Sequence, residues 1–253
     1  NVTIVDTANV GDTQVSIRGI VSTRDAEGTF AYVVDGVLVT NPNAFNEPLV
    51  DVEQIEVLKG PQGALYGRNA VAGAILVSTR KPTDEFFSKV KAGVGNNNSS
   101  QAEAIISGPM IEGTLAASLT GYYNSTDGFY DNAYTERDDV VDYLENSGAR
   151  ARMVWTPSER MTLDFRAATS RAEGGAINFN AVFAIPLFAE FFNDTYFADV
   201  NDHKFVFGFN VPGENEQTTN EFSLKMDWEG AAFDTTAIVA YNDLDEYLLS
   251  DGT

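Results

Sequence analysis

Residues 115–124 alternate strictly. Leu115, Ala117, Leu119, Gly121 and Tyr123 share one parity; Ala116, Ser118, Thr120, Tyr122 and Asn124 share the other. Successive side chains of a strand point to opposite faces, so this period predicts a two-faced strand, apolar on one side and polar on the other. The pattern returns in 149–156, where Ala149, Ala151, Met153 and Trp155 oppose Arg150, Arg152 and Thr156. In 161–169, Met161, Leu163, Phe165 and Ala167 oppose Thr162, Asp164 and Arg166. In 221–228, Phe222, Leu224, Met226 and Trp228 oppose Glu221, Ser223, Lys225 and Asp227. Segments 233–241, 86–94 and 101–107 complete about seven strands by the same reading.

Beyond 115–124, the polar parity taken over these strands carries charges of both signs. A soluble sandwich shows similar alternation, so the connections have to discriminate. On one side the strands join through short turns at 108–113, 156–160 and 228–230. On the other they join through long excursions, 127–147 and 172–219. Short turns at one end and long loops at the other is the asymmetry of an outer-membrane barrel. Trp155 and Trp228, the only tryptophans, both fall on the apolar parity just before a short turn, where an aromatic girdle would sit. Two core tryptophans of a β-sandwich remain the alternative at this point.

Composition narrows the function classes. The 253 residues hold 16 Lys+Arg against 37 Asp+Glu, a net charge of −21, which disfavours nucleic acid as a partner because phosphate neutralisation needs basic patches. Cysteine is absent, which excludes disulfide scaffolds, thiolate zinc sites and thiol nucleophiles. A single histidine, His203, excludes multi-histidine metal sites. No nucleophile–base pair or metal cluster is visible, so an enzyme is the poorest reading, and no cofactor is expected. No stretch approaches the ~20 apolar residues of a membrane helix, a test that strands escape. The first residues lack the charged-then-apolar pattern of a signal peptide. Charge divides the chain: residues 1–83 carry net −3 and residues 84–253 net −18. Texture changes at the same place, from Gly-rich turns between short strands to long alternating segments. Lys81-Pro82-Thr83-Asp84 marks the joint between two units, 1–83 and 84–253.

The first unit contains Ser16-Ile17-Arg18-Gly19, then Tyr32-Val33-Val34-Asp35-Gly36-Val37, then the run from Ile55 through Lys59-Gly60-Pro61-Gln62-Gly63-Ala64-Leu65-Tyr66-Gly67-Arg68-Asn69-Ala70, and finally Val71-Ala72-Gly73-Ala74-Ile75. In order and spacing these resemble the plug-domain motifs of TonB-dependent outer-membrane receptors. The glycines permit tight turns and close backbone approach. Asp35-Gly36, between two apolar runs, reads as a hairpin turn. The resemblance implies a mixed fold: a small α/β plug domain inside an antiparallel transmembrane β-barrel of a Gram-negative outer membrane, of which this chain carries about seven strands.

It implies a mechanism as well. A substrate binds from outside on the plug apex and inner wall, and the plug rearranges when the TonB–ExbB–ExbD complex pulls on a periplasmic segment, the TonB box, which this chain does not contain. Foremost among the nutrients implied is a ferric siderophore. A glycan, a cofactor or a small aromatic compound are alternatives within the family. A surface component assembling with a lipoprotein or another outer-membrane protein is the alternative from a different class. Outer-membrane lipid would bathe the apolar face. Arg18, Lys59 and Arg68 are the residues expected to meet the barrel wall, basic groups against wall carboxylates. Arg150, Arg152, Asp164, Arg166, Glu221, Lys225 and Asp227 would line the lumen and pair with each other or with the plug.

Plug loops following Arg18-Gly19 and Asp35-Gly36 would be apical, which makes Arg24, Asp25, Asn43 and Phe45 candidate substrate contacts, against the alternative of solvated loop. The excursion 172–219 is rich in aromatics, Phe179 and Phe183 among them. Aromatic faces there would suit an apolar or aromatic ligand, or would simply pack the loop or continue a strand. The acidic excursion 127–145 offers hard oxygen ligands for calcium, but its spacing does not fit an EF-hand loop, and a solvated surface loop is the simpler reading. His203, between Asp202 and Lys204, reads as solvent-exposed.

Overall fold

A computed structural model describes residues 2–6, 13–22, 28–40, 50–67, 69–175 and 210–249 of the chain. In its first part, β1 (Val2–Asp6), β2 (Thr13–Ile17) and β3 (Ile20–Val21) form an antiparallel sheet in that order. Then come β4 (Phe30–Val34), β5 (Val37–Val39), β6 (Val52–Lys59), the single helical turn α1 (Gly63–Tyr66) and β7 (Gly73–Thr79). These four strands assemble as β5-β4-β7-β6, with β4 and β7 parallel. A parallel pair needs a crossover, supplied by β6 and α1. The β4–β5 hairpin is the one expected: Val34 pairs with Val37, and both intervening residues have positive φ (Asp35 52°, Gly36 88°), the twist of a type I′ turn. Gly73 is required for another reason. A Cβ there would lie 2.1 Å from the Leu58 carbonyl oxygen across the β6–β7 ladder. One face of the sheet packs Tyr32, Ile75 and Val77 against Val15 and Ile17 of β2; the other packs Ala31, Val33 and Ala74 with Ala70.

The second part is a seven-stranded antiparallel meander: β8 (Phe87–Val94), β9 (Ser100–Ile111), β10 (Leu115–Thr126), β11 (Leu144–Ser158), β12 (Met161–Gly174), β13 (Glu214–Glu229) and β14 (Asp234–Leu249). The strand number matches the alternation, but the strands run further than expected. β11 begins at Leu144, β12 reaches Gly174 and β13 starts at Glu214, so the excursions shrink to 127–143 and 175–213. The β8–β9 connection, 95–99, is short.

Burial in this sheet inverts the rule of a soluble core. Leu119, Tyr123, Trp155, Phe222, Trp228, Val239 and Tyr241 are exposed, whereas Ser107, Thr120, Arg152, Asp164, Thr219 and Ser223, on the opposite parity, are buried. Among the described residues no helix is long and apolar enough to cross a membrane. The outward apolar rows do so by strand. They are bounded below by Trp155 and Trp228 and above by Tyr123 and Tyr241, an apolar band between aromatic girdles. Both girdles step in the same sense. Tyr241 lies four residues below the partner of Tyr123's row on β14, four strands away. Trp228 lies two residues below the partner of Trp155's row on β13, two strands away. Sixteen residues of β13 extend about 53 Å and rise about 37 Å if tilted 45°, more than the ~25 Å apolar band, so the strand tops stand clear of the hydrocarbon.

Candidate functional site

The inward parity of β11 and β12 meets the tip of the β4–β5 hairpin. Arg152 and Arg166 are cross-strand neighbours, and Asp164 is one step below Arg166 on the same face. Arg152 forks onto Asp164, Nε to Oδ1 at 3.0 Å and Nη2 to Oδ2 at 2.7 Å. Its Nη1 turns to the plug, donating to the carbonyl and the hydroxyl oxygen of Thr79 at 2.9 Å each, 3.7 Å from Asp35 Oδ1. Arg166 Nη1 lies 3.2 Å from Asp35 Oδ2, and its Nη2 donates to the Asp35 carbonyl at 3.0 Å. Asp35 also accepts from the Thr79 backbone N–H (2.9 Å) and hydroxyl (2.7 Å). The side chains of Asp35, Arg152 and Asp164 are 6–7% exposed.

Two aspartates and two arginines make a neutral cluster in which each buried charge is paired and hydrogen-bonded, the condition for burying charge without a large penalty. The turn chemistry aims it: the left-handed conformation of Asp35 turns both its carbonyl and its carboxylate to the wall. Gly36 continues the contact, since a Cβ there would sit 3.4 Å from Ile238 Cδ1 on β14. Beside the hairpin opens a cleft of about 330 Å3, with Val37, Leu38 and Thr40 on the plug side and Arg150, Ser223 and Asn242 on the wall side. It is amphipathic, apolar hairpin against polar wall.

A second plug–wall contact lies where the chain passes into β8. Arg80 Nε is 3.3 Å from Asp51 Oδ1, the Arg80 amide donates to the Asp51 carbonyl at 2.9 Å, and its guanidinium stacks 4.9 Å from the Phe87 ring centroid. Burial pushes the Asp51 carboxyl above the usual carboxylate range, with the Arg80 charge opposing it.

Of the expected lumen residues, Arg152, Asp164 and Arg166 are brought together with the plug, with reversed polarity, while Lys225 pairs with Asp227 at 2.9 Å. Plug bases facing wall carboxylates were expected; the described contact sets the plug carboxylate Asp35 against wall arginines. Arg18 lies exposed on the two-residue β2–β3 turn with φ 53°, its guanidinium beside Gly60. Lys59 is exposed at the end of β6. Among the described residues neither reaches a wall carboxylate. Arg68, Arg24, Asp25, Asn43, Phe45, Phe179, Phe183 and His203 lie outside the described residues. In the acidic excursion, Asp142 accepts from the backbone N–H groups of Phe129 (2.9 Å) and Tyr130 (3.0 Å), so it caps a turn. Among the described residues no group of three or more His, Asp or Glu is placed to hold a metal. Sequence reasoning misses Asp35 as a contact because a turn aspartate preceding glycine is explained by the turn alone; the available signal is Arg152 and Arg166 on the polar parity of neighbouring strands.

Comparison with known proteins agrees with this architecture. Residues 1–74 match the family model "TonB-dependent Receptor Plug Domain". The pesticin receptor of Yersinia enterocolitica is 33% identical over 138 residues, 54% of this chain and 20% of the relative. The ferrioxamine receptor of Yersinia enterocolitica is 30% identical over 167 residues, 64% and 21%. The chain spans about a fifth of the length of these relatives. The crystal structure of the ferric yersiniabactin uptake receptor FyuA from Yersinia pestis superposes with a TM-score of 0.83 at 22% identity, over 97% of this chain and 37% of that one. A plug motif series, a hairpin locked to a wall of inverted burial, and relatives of one kind mark residues 1–74 as a TonB-dependent receptor plug domain, and the strands that follow have the fold of the first barrel strands of the Gram-negative outer-membrane receptors this chain resembles.

Proposed function

We propose that residues 1–83 act as the plug and residues 84–253 as the first wall strands of a receptor for energy-coupled uptake of a ferric siderophore. The observation that carries this reading is the neutral cluster of Asp35, Arg152, Asp164 and Arg166. It seals plug to wall with groups that water can solvate once they separate, as a plug that must move requires; an apolar seal would be a permanent core. The names of the relatives, a ferrioxamine receptor and a ferric yersiniabactin uptake receptor, support a ferric chelate as the cargo. In this reading the TonB–ExbB–ExbD complex supplies the pull, and Arg24, Asp25, Asn43, Phe45, Phe179 and Phe183 are proposed ligand contacts on the sequence argument. Arg18, Lys59 and Arg68 are proposed to meet parts of the barrel wall other than the described strands.

The test is radioactive iron uptake into cells stripped of their own siderophore receptors and expressing the full-length receptor. Accumulation from a ferric chelate that disappears without TonB is the expected result. No accumulation from any chelate in a broad panel, with uptake of a glycan, cofactor or aromatic compound in its place, would overturn it.

A further inference from the structure

The inner face of the wall changes character with height. Its lower rows are ionic, as described. Two rows above Arg150 the register aligns Gln101, Asn124, Asn146, Ala172 and Gln217 across five successive strands. One row higher, Asn215 stands opposite Gly174 on the same face. Five carboxamides thus share one band, interrupted only by the small residues Ala172 and Gly174. At one end, Gln101 and Asn124 line a cavity of about 180 Å3 together with Tyr122 and the plug residue Val50. At the other end, the side chain of Asn215 is fully buried, and neither its Oδ1 nor its Nδ2 has a hydrogen-bond partner; Asn146 Oδ1 is in the same condition.

A buried amide without a partner costs about 1–3 kcal/mol, and native proteins keep few of them. Two on adjacent corners of one band, continuous with a cavity lined by the same side-chain type, point to a partner of a particular chemistry. Carboxamides both donate and accept, and they neutralise no charge. The charges bordering the band do not favour an anion either. Lys91 at the cavity and Lys89 beside it stand against Glu103, which Lys89 Nζ contacts at 3.2 Å, and Glu246, which ends the row on β14, so the border is neutral. Among the described residues no arginine lies on the inward face at this height or above it.

Resting on the siderophore reading, we infer that this amide band is a ligand subsite selecting ferric chelates of hydroxamate type. Three singly charged hydroxamates neutralise a ferric ion and leave a shell of carbonyl and N–O oxygens, with peptide-like amides in the linkers, for carboxamides to bind. Three doubly charged catecholates leave a triply negative core. A receptor for that core must replace its hydration with cations, and beside three negative charges the band has only Lys91 at its border.

The experiment is calorimetric titration of the purified full-length receptor with ferric desferrioxamine B and with a ferric tricatecholate, in the wild type and in N215L and Q101L. The expected result is a preference for the trihydroxamate of at least about 100-fold, reduced about 10-fold or more in each variant. N215L should melt at the wild-type temperature or above, since it removes an unsatisfied group; a merely structural amide would give the reverse. Should N215L fail to fold, Q101L, at an exposed position, carries the test. Equal or tighter binding of the tricatecholate, or unchanged trihydroxamate affinity in both variants, overturns the inference and leaves the siderophore reading standing. Binding of neither chelate overturns both.

Discussion

Replacing Arg152 by alanine tests the plug–wall cluster most directly, because this guanidinium touches both of its aspartates. The change removes the two-pronged contact with Asp164 (2.7 and 3.0 Å), the two bonds to Thr79 (2.9 Å each) and the approach to Asp35 at 3.7 Å. Asp35 and Asp164 then share a single cation, Arg166, in a site where their side chains are 6–7% exposed. Removing one partner from a buried pair costs about 3–5 kcal/mol, chiefly because the charge left behind stays desolvated. Local opening easier by about 3 kcal/mol speeds exchange of the amides it protects roughly 100-fold. Hydrogen exchange by mass spectrometry on the full-length receptor would read this in peptides covering 30–39 and 73–80, which hold Asp35 and the Thr79 amide. R152K should fall between, keeping the charge but losing the fork. The control is R171A, on the outer rim, where Arg171 is 59% exposed in its pairs with Glu173 and Glu216; it should cost under about 1 kcal/mol. If R152A peptides exchange within about threefold of wild type, the cluster does not hold the plug and the argument fails.

Three further outcomes follow from named contacts. L119R, on the outward face of β10, should block membrane assembly at a cost of about 2–4 kcal/mol, whereas N242R, inward and next to Glu221, should assemble normally; heat-modifiable electrophoretic mobility separates the two. G73A should destabilise the plug by more than about 3 kcal/mol, because the added Cβ meets the Leu58 carbonyl at 2.1 Å; normal yield and melting of the variant would refute this. For Asp51, the native state holds the proton more tightly than the unfolded chain, so its contribution is fully present below the ordinary carboxylate range and fades as pH rises through the raised value. Melting curves of D51N against wild type should therefore shift in favour of the variant from acid toward neutral pH, and a shift the other way sinks the assignment.

The alternation revealed the facing of the wall wherever one side meets hydrocarbon. Leu119 outward and Thr120 inward follow from parity alone, as does the girdle position of Trp155 and Trp228. It could not reveal the strand tops. At Glu145/Asn146 and Glu216/Gln217 both faces are polar, so the period vanishes and extended strand reads as loop. The hairpin at Asp35 was legible because turn chemistry is local. Its partner was not, since Arg166 lies 131 residues away, and no periodicity encodes which inward arginine a turn aspartate will meet.

The stepped girdles carry one more consequence. A drop of one residue for each strand crossed means about 3.3 Å along the strand for every ~4.8 Å sideways, which is a tilt of about 35°, the lower edge of what closed barrels adopt. The amide row follows the hydrogen bonds, not the membrane plane, so over its four strand crossings it climbs about 11 Å from Gln101 to Gln217. The band is therefore a section of spiral staircase. Its high steps face the outside, its lowest step lies beside the plug at Val50, and a descending chelate would trade oxygens from one carboxamide to the next while turning about the barrel axis.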